Sequence, residues 1–208
     1  MPVRGAAGTW QGGDVTVVGL VLAAGAGRRM GGPKALVRVP PAGPTLVVSA
    51  VSRVRAAGCD HVVVVVGAAA QAVTDAVAGT GAEVVTASDW PEGMGASLRA
   101  GLTHLDPAAH DVALVTLVDL PDVTAEVMAR VLAAVEGDGP AALARATYDG
   151  VPGHPVAIGR DHWGRVARTA RGDRGAREHL RVTPHLLVEC GDLATGRDVD
   201  TADDLRRG

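Results

Sequence analysis

Continuous runs of β-branched, apolar residues alternate along this chain with segments that place apolar residues at helical spacing. The runs VTVVGLVLAA (15–24), HVVVVVG (61–67) and DVALVTLVD (111–119) leave no regular polar face. Strands of this kind are buried on both sides, as in a parallel sheet that helices cover. The alternation therefore predicts an α/β fold, with one domain built on a doubly wound, mostly parallel sheet.

The segments between and after these runs favour helices. Helical periodicity is seen at 45–58, 68–79, 95–105 and 124–137, and Thr124 is the expected N-cap of the last helix. Beyond it, AALARATYDG and GHPVAIGR predict two strands joined by a turn. Two short helices and a final strand, HLLVEC, are expected to follow. We expect the strands of this last part to be mixed in direction.

Composition and charge exclude several classes of protein. A net charge of -3 and a pI near 6.1 do not suit a nucleic-acid or anionic-membrane partner. No uncharged apolar run reaches the ~20 residues of a membrane span. Two distant cysteines, Cys59 and Cys190, are typical of reduced core thiols, which favours a cytoplasmic protein. Residues 1–14 are glycine-rich and non-periodic, so we interpret them as a disordered leader to a domain spanning 15–208.

A glycine-rich turn follows the first predicted strand, in the stretch VLAAGAGRRMGGPK. A dinucleotide fingerprint needs G-x-G-x-x-G/A, but Met30 holds its third position. A P-loop needs Lys directly after its second glycine, and Pro33 stands there instead. What remains is a turn with Arg28, Arg29 and Lys34, which suits a triphosphate. The alternative is an ordinary turn whose cations face solvent.

Asp119 ends the third buried run, at the edge where open α/β sheets bind ligands. The proline two residues later keeps the chain extended there. A carboxylate in this place suits Mg²⁺, which binds through one or two carboxylates and phosphate oxygens. The alternative, that Asp119 caps the following helix, is weaker because Thr124 is better placed to do so.

These motifs resemble those of nucleotidyltransferases that couple a nucleoside triphosphate to a phosphorylated acceptor. LAAGAGRRMGGPK follows the signature L-A-[AG]-G-x-[GA]-x-R-M-G-x-x-K, and the chain is most similar to the molybdenum cofactor cytidylyltransferase and guanylyltransferase group. The likeness runs from Val17 to Leu205. Five later segments agree with it in order: EGMGASLRAGL, LVDLPDVT, GHPVAIG, GDRGAREHL and RDVDTADDL.

The resemblance implies a Rossmann-like nucleotidyltransferase fold, Mg²⁺ as the cofactor and a set of site residues. From the mechanism that such a reaction needs, we assign catalytic roles to Arg28, Lys34 and Asp119, while Arg29 is expected to face solvent. A second metal carboxylate comes from Asp200 or Asp198, although Asp200 with Thr201 could instead cap a last helix. The acceptor side receives His154 and Asp173, and Trp90 or Trp163 could stack on a ring or pack in the core. Nucleotide contacts are assigned to Leu22, Ala23, Ala24, Gly25, Ala26, Gly27, Arg28, Lys34, Gly93, Met94 and Ser97.

The resemblance also bears on substrates. Cytidylyl members carry LAAG and guanylyl members LAGG, so Ala24 favours CTP over GTP. The implied acceptor is molybdopterin or the molybdenum cofactor, and a molybdoenzyme or chaperone would then be a partner. Alternatives are a guanylyltransferase, another small phosphorylated acceptor, or a non-catalytic nucleotide-binding module. An NAD(P)-dependent oxidoreductase is disfavoured by Met30 and by the lack of a ribose-binding acid.

Overall fold

The computed structural model of the chain describes residues 15–201 and residue 204. Seven strands form one sheet. They are β1 (Val17–Leu22), β2 (His61–Val66), β3 (Glu83–Thr86), β4 (Val112–Leu117), β5 (Leu143–Tyr148), β6 (Val151–Gly159) and β7 (Leu186–Glu189). Six helices accompany them: α1 (Leu46–Ala56), α2 (Ala70–Val77), α3 (Met94–His104), α4 (Ala125–Ala133), α5 (Arg160–Thr169) and α6 (Arg177–Val182).

The strand order is β3-β2-β1-β4-β6-β5-β7. β1 pairs in parallel with β2 and with β4, and β2 pairs in parallel with β3. β6 runs antiparallel to both its neighbours, while β7 is parallel to β5. The predicted single-domain, mostly parallel α/β sheet with mixed later strands is therefore confirmed. The predicted leader at 1–14 lies outside the described residues.

Two hydrophobic cores lie on the two faces of the sheet. One contains the apolar faces of α1, α2 and α4, and the other those of α3, α5 and α6. Alternate residues of β1 point into different cores: Val21 belongs to the first, Leu20 to the second. This double burial is why the strand sequences show no polar face.

Glycines set how closely one helix on each face approaches β1. A Cβ on Gly19 of β1 would lie 2.0 Å from Cγ1 of Val54 in α1. A Cβ on Gly101 of α3 would lie 2.7 Å from Cδ1 of Leu20. Any larger residue would push these helices off the sheet. The close packing fixes the start of α3 beside the end of β1.

The chain reverses direction across the sheet between β1 and β4. It passes from β1 outward to β2 and β3, then returns to β4 on the other side of β1. The connections that follow β1 and β4 therefore diverge, which opens a crevice at the carboxyl ends of these strands. The glycine-rich turn after Leu22 and the residue Asp119 both lie at this edge.

Hydrogen bonds hold the C-terminal segment against the same edge. The Asp122 carboxylate accepts from the backbone N–H and the hydroxyl of Thr195, at 2.7 and 2.5 Å. Further on, the N–H of Val199 donates to the carbonyl of Asp119 at 2.9 Å. These bonds bring residues 198–200 beside the end of β4. Among residues 15–201 and 204, no helix is long and apolar enough to cross a membrane.

Candidate functional site

The glycine-rich turn is folded tightly by its own backbone. Gly27 has a φ of 59°, and its carbonyl accepts from the N–H groups of Met30 and Gly32. A Cβ at position 27 would lie 1.9 Å from the Gly32 carbonyl oxygen, so no other residue fits. A short 3-10 turn, Arg28–Met30, follows at once. The loop thus turns a row of backbone groups and Arg28 towards the crevice.

Lys34 joins the loop to the strand end and the C-terminal segment. Its Nζ lies 2.7 Å from Oδ2 of Asp119 and 2.6 Å from Oδ1 of Asp200. Burial alone would lower the pKa of Lys34, but the hydrogen bonds and charges of these two carboxylates outweigh it and raise the pKa. The hydrogen bond from Lys34 likewise lowers the pKa of Asp200. Lys34 and Asp200 are therefore both ionised at neutral pH.

Arg29 is exposed and also contacts the carboxylate cluster. Its side chain is 77% exposed, as predicted, yet Nη1 lies 2.5 Å from Oδ2 of Asp200. The pair holds Asp200 from the solvent side while Lys34 holds it from within. The Asp200 carboxylate therefore faces the site. Thr201 makes the bonds expected of a helix cap, because its hydroxyl accepts from the N–H of Asp204 at 3.3 Å and its own N–H donates to the Asp204 carboxylate at 2.8 Å.

Three carboxylates converge at this centre. Ligand oxygens of Asp119, Asp198 and Asp200 all lie within 4.8 Å of one another. Carboxylate oxygens at this spacing fit a hard divalent cation such as Mg²⁺ or Mn²⁺. Both aspartates left open by the sequence are thus near Asp119, but Asp198 is exposed whereas Asp200 is held by two cations.

The opposite wall comes from the start of α3 and the 3-10 turn Trp90–Glu92 before it. The Arg99 guanidinium pairs with Asp89 and Glu92 and donates to the carbonyl of Ala170 at 3.2 Å. These bonds tie the turn, which presents Trp90 to the crevice, onto the helix. Ser97, one turn into α3, is buried and faces the same space.

A second close backbone contact places Asp173. Gly93 has a φ of 110°, and a Cβ there would lie 2.7 Å from Oδ1 of Asp173. A Cβ on Gly95 would lie 2.7 Å from the backbone nitrogen of Arg171. The two glycines thus let the segment before α6 lie directly against the start of α3.

Together these elements enclose a cleft of about 440 Å³. Most residues predicted for the site line it, and so do Arg29, Trp90 and several apolar neighbours. The predicted residues on its wall are Leu22, Ala24, Gly25, Ala26, Gly27, Arg28, Lys34, Gly93, Met94, Ser97, Asp119, Asp173, Asp198 and Asp200.

Three predicted residues lie elsewhere. Ala23 is buried, and its N–H extends the sheet by donating to Val65 at 2.9 Å. Trp163 packs in the core and donates from Nε1 to the carbonyl of Ile158. His154 lines a smaller, adjacent cavity with Arg145.

The charge of the cleft bears on what it can bind. Three basic side chains line it, Arg28, Arg29 and Lys34, against four acidic ones. With a formal excess of one negative charge, the cleft repels a free triphosphate unless a cation accompanies it. Bound together, a divalent cation and a triphosphate would be complementary to the two halves of the cleft.

Known proteins resemble the chain over almost its whole length. The family model of the MobA-like NTP transferase domain matches residues 19–189. Nicotine blue oxidoreductase of Paenarthrobacter nicotinovorans is 40% identical over 203 residues, covering 92% of this chain and 95% of that protein.

Solved structures share the fold. A homologue of Mycobacterium tuberculosis Rv0371c, from Mycobacterium sp. strain JC1, superposes with a TM-score of 0.75 at 30% identity, covering 92% of this chain and 93% of that one. Rv0371c of Mycobacterium tuberculosis H37Rv, solved in complex with manganese, gives a TM-score of 0.72 at 29% identity, covering 93% of this chain and 97% of that one.

Proposed function

The chain belongs to the MobA-like NTP transferase domain family, and from this premise we propose that it is a nucleotidyltransferase that requires a divalent metal. It transfers a nucleotidyl group from a nucleoside triphosphate to a small phosphorylated acceptor and releases pyrophosphate. The observation that carries the proposal is the cluster of Asp119, Asp198 and Asp200 in the cleft that the glycine-rich turn lines, with Lys34 bonded to Asp119 and Asp200.

The reaction needs no protein nucleophile. An oxygen of the acceptor phosphate attacks the α-phosphorus, the new P–O bond forms, and the bond to the β-phosphate breaks. The acceptor oxygen is already anionic, so the protein positions the two reactants and stabilises developing charge. We assign this work to Arg28, Lys34 and the backbone N–H groups of residues 26–28.

The carboxylates of Asp119 and Asp200 would hold the metal, with Asp198 as the third oxygen donor. A divalent cation held there would supply positive charge that offsets the charge of the leaving pyrophosphate. We propose Mg²⁺, and the manganese complex of the related Rv0371c supports a divalent ion. Lys34 Nζ bonds two of the same carboxylates, so its ammonium group lies close to where the phosphates of a bound nucleotide would be.

We propose CTP as the preferred nucleotide and GTP as the weaker one. Ala24 is one of the residues that line the cleft, and its methyl group would reduce the space beside a bound base. A pyrimidine is smaller than a purine and tolerates that methyl better. One methyl group decides about 1–3 kcal/mol, so Ala24→Gly should relax the preference without reversing it fully.

The acceptor we propose is molybdopterin or the molybdenum cofactor, on the strength of the motifs that the chain shares with that group. A molybdoenzyme or its chaperone would then receive the product. Another small phosphorylated acceptor fits the same cleft chemistry, and the cleft residues argue against a silent nucleotide-binding module, because Lys34 and Asp119 are both in place.

A second candidate comes from the 40% identical relative, whose name is nicotine blue oxidoreductase. An oxidoreductase acting on nicotine blue or a similar compound would use the same fold for redox chemistry. The chain lacks a dinucleotide fingerprint at its glycine-rich turn, where Met30 stands in place of the third glycine. Bleaching of nicotine blue with NADH or NADPH, followed by absorbance, tests this candidate directly.

Calorimetric titration of CTP and GTP, with and without Mg²⁺, tests the first proposal. We expect tight nucleotide binding only in the presence of metal, and tighter binding of CTP than of GTP. The nucleotide affinity should fall by at least about 10-fold in Asp119→Asn and in Asp200→Asn. Asp138→Asn is the matched control, because Asp138 is an exposed acid outside the cleft. Equal nucleotide binding with and without metal, or in all three variants, would rule out the assigned metal site.

A further inference from the structure

A small cavity of about 50 Å³ adjoins the nucleotide cleft and shares Leu22 and Met94 with it. We call it the arginine pocket. Its basic lining residues are Arg145 on β5, His154 on β6, Arg174 in the 3-10 turn before α6, and Arg177 at the start of α6. The remaining lining is mostly apolar.

Two of these arginines, the half-buried Arg145 and the exposed Arg177, have no acidic partner among the described residues. Arg145 Nη2 donates to the carbonyl of Gly153 at 3.3 Å, and its Nε is buried without a hydrogen-bond partner. Within residues 15–201 and 204, neither Arg145 nor Arg177 forms an ion pair, whereas Arg174 pairs with Glu178 at 2.9 Å. Burial lowers the pKa of Arg145, and the charge of Arg177 adds to the effect.

His154 completes the set as a neutral group. Burial, followed by the charges of Arg145 and Arg177, lowers its pKa to about 4. At neutral pH its ring therefore offers one N–H donor without adding a third positive charge. Two guanidinium groups and one imidazole are donors that match the oxygen atoms of a phosphate or carboxylate.

The size of the cavity restricts the ligand. A water molecule needs roughly 10–15 Å³ of such space, so the pocket has room for about four atoms of that size. A space of this size fits an oxyanion group but neither a nucleobase nor a second nucleotide. The buried Nε of Arg145 has no hydrogen-bond partner, which is costly, and an anion bound between Arg145 and Arg177 relieves that cost.

We propose that the arginine pocket binds one oxyanion group of the acceptor, at the end away from the phosphate that reacts. The inference rests on the proposed function, since only a transferase has an acceptor to place here. The acceptor would then be a small molecule that carries a second anionic group besides the phosphate that reacts. The reacting phosphate lies in the nucleotide cleft, and the second anionic group lies across Leu22 and Met94 in the arginine pocket.

The pocket itself is tested with inorganic sulfate, on protein saturated with Mg²⁺ and CTP and at constant ionic strength in chloride. The readout is the NMR signal of the Arg145 Nε–H group. We expect saturable shifts, weakened 10-fold or more in Arg177→Gln. Arg181→Gln is the matched control, because Arg181 lies on the same helix but pairs with Glu178. An Arg145 signal that sulfate leaves unmoved overturns the proposal, whatever the nucleotide titration shows.

The acceptor class is tested by pyrophosphate release with paired phosphorylated compounds that differ only in a second carboxylate or phosphate. We expect the two-ended compounds to react better, and Arg177→Gln to raise their KM 10-fold or more while leaving the KM for CTP unchanged. The proposed acceptor class is overturned if the unmodified protein uses compounds with and without the second anionic group equally well. A protein that binds sulfate in the pocket but releases no pyrophosphate would instead contradict the proposed function.

Discussion

Replacing His154 by Gln should make the protein less sensitive to acid. The pKa of His154 is lowered from 6.5 to about 4 in the folded chain. Between these values the unfolded chain takes up a proton that the folded chain refuses, so stability is complete above pH 6.5 and falls as the pH drops towards 4. At pH 5 the loss from this one residue is about 2 kcal/mol relative to pH 7.5. Gln cannot take up the proton and escapes the loss.

Urea unfolding at pH 7.5 and pH 5, followed by tryptophan fluorescence in chloride buffers, measures the effect. Packing differences between the two proteins cancel, because only the change with pH is compared. We expect the unfolding free energy of the unmodified protein to fall by about 2 kcal/mol more than that of His154→Gln. An identical pH response in both proteins would refute the neutral, arginine-flanked histidine on which the description of the arginine pocket depends.

Three further changes test other parts of the molecule. Gly67→Ala puts a Cβ 2.7 Å from Cβ of Trp90 and should cost about 1–3 kcal/mol in urea unfolding, while Gly137→Ala, which meets no atom within 4 Å, should cost little. Thr124→Ala removes the acceptor for the N–H of Val127 and should cost about 1 kcal/mol without changing nucleotide affinity; Thr124→Ser should retain the cap. Arg28→Ala should lower kcat or raise the triphosphate KM by about 10-fold or more. Arg29→Ala should have a smaller effect, because Arg29 is exposed and paired with Asp200. Equal effects of the two variants would contradict the assigned loop orientation.

The elements themselves were predictable because their signals are local. The β-branched runs became β1, β2 and β4, and the cap at Thr124 accepts from Val127 as expected. The strands β5 and β6 are joined by a turn between Tyr148 and Val151, in agreement with the prediction of two strands joined by a turn. In each case residues a few positions apart determine the outcome.

The arrangement around the arginine pocket was not predictable in the same way. In the sequence, Arg145 is a single charged residue within a predicted strand. It becomes a binding group because β5 pairs with β6 in a register that sets it opposite Val156 and beside His154. Arg177 belongs to α6, which lies further along the chain. Only the tertiary packing brings these cations together.

The choice between Asp198 and Asp200 shows the same limit. They lie two residues apart in an extended segment, so both could face the site, and the sequence favours Asp200 only slightly. The difference comes from Arg29 and Lys34, which lie more than 160 positions away and both bind Asp200. That contact depends on the anchoring of the C-terminal segment to the end of β4.

The most direct test of the central claim is pyrophosphate release by the purified protein with Mg²⁺, each of the four nucleoside triphosphates, and a panel of phosphorylated acceptors that includes molybdopterin. We predict pyrophosphate in equal amount to nucleotidylated acceptor, fastest with CTP, and none from Asp119→Asn that keeps its fold. No pyrophosphate with any acceptor, together with bleaching of nicotine blue by NADH or NADPH in the same preparation, would contradict the account.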